Sequence, residues 1–135
     1  MAEFPDSVTA RGTKHLQELA RLRKVLSSRN AILRQGRPRA ESRPWDKLLF
    51  QLSTTVGRRR DELTTALNDT CQRFFKDLTD KPTGVQLTYK RCWPQDWDAF
   101  QQRLDELHER ERQRGATLVS PQKDDLEIQR QERSL

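Results

Sequence analysis

Two clusters of arginine carry the strongest chemical signal in the sequence. Arg37, Arg39 and Arg43 lie in the stretch GRPRAESRP, and Arg58, Arg59 and Arg60 form an uninterrupted run. A guanidinium presents its N–H donors in a planar fork that meets two phosphate oxygens at once, so both clusters point to phosphate contact. The surrounding charge agrees. Residues 1–60 carry fourteen Lys and Arg against five Asp and Glu, whereas residues 61–135 carry twelve against fifteen. The net charge of +6 therefore arises entirely in the first part. A field of this sign favours a polyanionic partner, because each phosphate neutralised releases condensed counterions. Against this stands the plain solubility of Arg-rich helices, and three consecutive arginines on a helix point three ways, which makes a girdle rather than a site.

Other chemistries find little material. Neither GxxxxGK[ST] nor GxGxxG is present, and five glycines leave little for a nucleotide cradle. His15 and His108 read as solvated helix residues, and the acidic pairs Asp105/Glu106 and Asp124/Asp125 have no nucleophile or metal ligand spaced to work with them. Cys71 and Cys92 form no CxxC pair and read as reduced packing residues. No enzymatic activity, cofactor or metal is expected. Trp45, Trp93, Trp97 and Tyr89 are potential stacking platforms for unpaired bases. Trp45 and Trp97 fall on helical seams and read as core, while Trp93 in its loop is undecided.

The elements that must position these residues follow from periodicity. Leu16, Leu19, Leu22, Leu26 and Leu33 recur at helical spacing, predicting an amphipathic helix over 13–35, begun by Gly12 and Thr13 and ended by Gly36 and Pro38. Pro44 and Asp46 open a long helix over 44–79. Its seam runs Trp45, Leu49, Leu52, Val56, Leu63, Leu67, Cys71, Phe74 and Leu78, with a bend expected at Gly57. The two helices should pair as an antiparallel hairpin. After the breaker DKPTG, VQLTYKR alternates as a half-buried strand over 85–91. A third helix over 96–114 is capped by Asp96 and stopped by Gly115, and two short strands, ATLVS and DLEIQ, fall within 116–130. The expected fold is mainly helical α+β, a long antiparallel helical hairpin with a small strand-containing subdomain and a third helix, all in one domain. With 33% hydrophobic residues and a mean hydropathy of −1.02 the core must be thin. No apolar run reaches the ~18 residues of a membrane span, and MAEFPDSV lacks the regions of a signal peptide, so a cytoplasmic location is expected.

Three segments, LRKVLSSRNAILRQG, RPWDKLL and YKRCWPQDW with the following ERERQRGATLVSPQKDDLEI, resemble in order and separation the arm region of the RecF family of bacterial DNA repair ATPases. The family's RN pair is matched by Arg29 and Asn30, its WD pair by Trp45 and Asp46, and the Trp of its GW pair by Trp93. Its RDR stretch corresponds to Arg110, Glu111 and Arg112, and its GPHR-DL motif to Pro121, Lys123, Asp125 and Leu126. FPD at 4–6 is similar to the FLD that precedes the arm. Cys92, Ser120 and Gln122 stand where the family pattern has Gly, Gly and His.

The resemblance implies an arm that returns toward an SMC-like ATPase head through the segment after Gly115, with the head itself absent and no ATP site of its own. It implies a role in DNA replication and repair, with non-specific contact to gapped or duplex DNA through the basic N-terminal half and no tie to a membrane. A protein-interaction module that binds RecR or intact RecF is the rival reading. A remnant with a fold and no task is a third.

Overall fold

The computed structural model describes residues 6–80 and 84–130, with side chains from Gly12 onward. Phe4 and Pro5 of the FPD motif, and positions 81–83 of the DKPTG breaker, lie outside the described residues. The element order is α1 (Asp6–Arg34), α2 (Arg39–Thr79), β1 (Val85–Lys90), α3 (Trp97–Arg114), a 3₁₀ turn (Pro121–Lys123) and β2 (Asp125–Arg130). The fold is mainly helical α+β, with the strands forming one antiparallel pair.

Contacts between Glu18 and Arg59 at one level and Arg29 and Asp46 at another establish α1 and α2 as an antiparallel hairpin. Leu22, Val25 and Leu26 of α1 face Leu49, Leu52 and Val56 of α2, and Trp93, Phe100, Leu104 and Val119 close the same core from the other side. The Phe50 and Phe100 rings meet edge to face at 5.1 Å, a preferred aromatic geometry. Trp93, undecided from sequence, is buried here.

Several boundaries depart from the periodicity. Helix α1 begins at Asp6 and runs through Gly12, because a glycine weakens a helix by ~1 kcal/mol without forbidding it. Helix α2 begins at Arg39 and carries Pro44 inside its second turn. A polar network within the helix accompanies that early start: the Ser42 hydroxyl donates to the Arg39 carbonyl at 3.0 Å, and the Arg39 guanidinium reaches Asp46 two turns on. Gly57 lies inside one continuous α2, with no break in the helix there. A Cβ there would sit 2.9 Å from both the Arg91 Nε and the Trp93 ring, so this glycine is a packing notch.

The long seam of α2 is likewise only half a seam. Its buried residues all lie between Ser42 and Gly57, whereas Leu63, Leu67, Phe74 and Leu78 are exposed. Of the two strands expected within 116–130, only β2 forms. Residues 116–120 are irregular but packed inward, with Thr117, Val119 and Ser120 buried. Their backbone finds side-chain partners instead of a strand, since the Thr117 N–H donates to Asn30 at 2.7 Å and the Leu118 N–H to Glu111 at 2.7 Å.

The β1–β2 ribbon pairs Leu87 with Ile128 and Tyr89 with Leu126. On the opposite edge of β1, the Asn68 side chain of α2 accepts from the Leu87 N–H at 2.8 Å and donates to the Leu87 carbonyl at 2.9 Å. One side-chain amide thus occupies a position that an added strand would use. Among the described residues no helix is long and apolar enough to cross a membrane.

Candidate functional site

Three chain segments converge where α1 ends, α2 begins and α3 ends, and a charged knot joins them. Arg29 is fully buried, which is tolerable only if its donors are met by acceptors. Its Nη1 and Nη2 donate to the two carboxylate oxygens of Glu111 at 3.0 Å each, a bidentate pair. Nη1 also reaches the Thr117 hydroxyl at 2.9 Å, and Nε lies 3.4 Å from Asp46. The Thr117 hydroxyl donates onward to Asn30 at 2.7 Å. Asp46 is shared with Arg39 at 2.5 Å, and Arg39 continues to Asp105 at 2.9 Å. Burial works against the charge on Arg39, but the bonds and charges of Asp46 and Asp105 outweigh it and hold the guanidinium more firmly protonated. This knot latches three elements together.

A second buried carboxylate ties the ribbon to the helices. The Asp124 side chain, 1% exposed, accepts from the Cys92 N–H at 2.8 Å, from Trp93 Nε1 at 2.8 Å and from the Tyr89 hydroxyl. Arg60 approaches it at 3.9 Å while donating to the Pro121 carbonyl at 2.6 Å. Burial, reinforced by Asp124, pushes the Cys92 thiol up to about 11 and the Tyr89 phenol up to about 12. Cys92 is therefore a protonated, weakly nucleophilic thiol at neutral pH.

The family-motif residues divide between these knots and the surface. Arg29, Asn30 and Asp46 are in the first knot, and Trp93 and Pro121 are buried around the second. Trp45 is half-buried against the core. Arg110, Arg112, Lys123 and Asp125 are exposed. The residues that do the bonding, Glu111 and Asp124, stand in the sequence as the centre of the RDR-like stretch and as half of an acidic pair, neither singled out as a site. Glu111 had a signal, since it continues the α3 face of Trp97, Phe100, Leu104 and Leu107 at helical spacing, so its carboxylate had to point inward. Asp124 had none.

The two arginine clusters do not form one site. From Arg43 to Arg58 the helix advances about 22 Å. Within the clusters the side chains also part. Arg39 turns into the first knot, Arg59 pairs with Glu18 at 3.2 Å, and Arg60 binds the Pro121 carbonyl. Arg37 lies at the surface 3.5 Å from Glu41, Arg43 at the surface 3.9 Å from Asp105, and Arg58 is exposed. His15 is half-buried, and burial together with Arg60 holds its pKa below the usual value.

A family profile described as "SfsA: Sugar fermentation stimulation protein RE domain" matches residues 1–34, which include α1 and none of the other elements. A likeness to RecF covers far more. The DNA replication and repair protein RecF of Herpetosiphon aurantiacus is 33% identical over 129 residues, spanning 90% of this chain and 34% of that protein. RecF of Klebsiella pneumoniae is 32% identical over 111 residues, 79% of this chain and 29% of its own. Among solved structures, the recombination mediator protein RecF with ATP in the RecFOR pathway superposes with a TM-score of 0.73 at 16% identity, covering 87% of this chain and 34% of that one. The chain spans about a third of the length of the curated relatives it matches. With sequence likeness to RecF across nine-tenths of its length and a fold shared with solved RecF structures, the chain belongs to the RecF family.

Proposed function

We propose that this chain acts as a RecF-type arm domain in DNA replication and repair, touching DNA without regard to sequence through its basic N-terminal half and not hydrolysing ATP. The observation that carries the reading is the sign asymmetry of the chain, with Arg37, Arg43 and Arg58 on the surface of its basic part. These three residues are the phosphate contacts. Arg39, Arg59 and Arg60, bound to partners within the fold, shape the surface from beneath. The setting is cytoplasmic.

Anisotropy of a labelled gapped DNA at low and at moderate salt tests this. Binding should fall steeply with salt, with a slope of roughly 0.9 per phosphate contact, and should weaken in the R37E/R43E/R58E variant. Absence of binding at low salt, or binding indifferent to all three changes, refutes it.

A specific observation favours the protein-interaction reading as the second. Leu63, Leu67, Phe74, Leu78, Leu126 and Ile128 are all exposed, more apolar surface than a thinly cored chain usually leaves in water. RecR or intact RecF is the partner that reading implies. Retention of such a complex at high salt, with loss on L67E/F74E, would favour it.

A further inference from the structure

A groove between the middle of α1 and the first half of α2 joins an apolar interior to a cationic rim. It holds about 270 Å³ of open space. Val25 and Leu52 belong to the core and form the floor, and half-buried Trp45 with exposed Leu48 makes one wall. The exposed Arg21 and Lys24 stand on the opposite rim and, three residues apart, project from the same face of α1. No carboxylate lines the groove, and among the described residues neither cation takes part in an ion pair. Glu18, one turn before Arg21, is turned to Arg59 instead.

Two uncompensated cations beside an apolar floor call for an occupant that is both anionic and apolar. A protein segment in which Asp or Glu flanks a leucine or phenylalanine meets both demands. The apolar side chain enters the groove and takes surface of Trp45 and Leu48 out of water, while the carboxylates meet the Arg21 fork and the Lys24 ammonium. A nucleobase fits less well, because its edge carries several donors and acceptors. Besides the two cations, the lining offers them only the Ser28 hydroxyl and the Trp45 indole N–H, whereas a hydrocarbon side chain has no polar group to satisfy. A flat lipid surface would meet the rim and miss the floor.

We propose that this groove docks an acidic segment of a protein partner, seating one leucine or phenylalanine side chain against Trp45 and Leu48 while neighbouring carboxylates pair with Arg21 and Lys24. The inference rests neither on the DNA-contact reading nor on the exposed apolar residues of the second half of α2, which lie outside the groove.

The test titrates the whole chain into a fluorescein-labelled peptide, Asp-Glu-Asp-Leu-Phe-Asp-Glu, and follows anisotropy. Saturable binding is expected. Replacing Leu-Phe of the peptide by Ser-Ser should weaken it about tenfold or more, the loss that follows from leaving one such side chain unburied. R21E/K24E changes only exposed side chains, and L48E places a carboxylate at an exposed groove position, so both variants should remain folded, as circular dichroism will verify. Each should weaken the acidic peptide about tenfold, and in R21E/K24E the remaining binding should lose most of its salt dependence. A peptide with Lys at every acidic position should bind R21E/K24E more tightly than it binds the parent, a reversal that a merely damaged fold would not give. Absence of saturable binding to the parent, equal binding by the parent and both folded variants, or no reversal with the basic peptide refutes the proposal. Displacement of the peptide by a lower concentration of oligothymidine, itself weakened by L48E, would overturn it by assigning the groove to nucleic acid.

Discussion

The two halves of α2 carry the same apolar spacing and meet opposite fates. Between Ser42 and Gly57 the helix is pinned from several sides, by α1, by the aromatic residues of α3 and by the Arg29 knot at its start. Between Arg58 and Thr79 none of its residues is buried, and Phe74 and Leu78 are 61% and 68% exposed. This second half is held at its start by side-chain contacts of Arg59 with Glu18 and of Arg60 with the Pro121 carbonyl, and further along by the ribbon through Asn68. Apolar periodicity thus states which face of a helix is available for burial. Whether a neighbour arrives to cover it depends on the rest of the fold.

The sharpest way to break this contrast is to attack the knot. Glu111→Gln removes one charge of a bidentate pair in which both side chains are fully buried, leaving Arg29 without its main counter-charge. A loss of about 3 kcal/mol is expected, read in urea unfolding and as a fall in Tm of roughly 10 °C or more. A loss below about 1 kcal/mol would mean that the knot does not hold the pinned half together.

Gly57→Ala probes the border between the halves. Helix propensity alone predicts a gain of ~1 kcal/mol, but the new methyl would meet the buried Trp93 ring at 2.9 Å. Overpacking of that kind costs ~1–3 kcal/mol, so a net destabilisation of about 1 kcal/mol is expected. A stabilised variant would show that the notch is dispensable.

The ribbon's anchorage has its own pH signature. The folded pKa of Tyr89, raised to about 12 from an ordinary 10.0, favours the neutral phenol in the native state. Its contribution to stability is therefore complete below pH 10 and is lost as the pH climbs from about 10 to about 12. Tyr89→Phe should show a shallower decline over that window than the parent. Identical slopes would dissociate Tyr89 from the knot.

The smallest effect belongs to the bare half. Phe74→Gln should change stability by no more than about 0.5 kcal/mol, because the ring is already largely in water. A loss comparable to that of Glu111→Gln would abolish the distinction between the halves.

Much of the architecture was legible before any coordinates. The helical hairpin, the Asp96 cap, the Gly115 stop and the first strand follow from spacing and local backbone chemistry, since a period of 3.6 or 2 and a capping side chain act within a few residues. Gly115 has φ +64, the left-handed turn that its position at the helix end called for. Packing alone decided that Gly57 is a notch and that residues 116–120 satisfy their backbone through Asn30 and Glu111 instead of a strand. It also decided which arginines remain at the surface. Six looked equivalent in sequence because charge patterning records only that they are cationic. Arg39, Arg59 and Arg60 turn to partners 66, 41 and 61 residues away, and a contact across such distances is written in no local pattern.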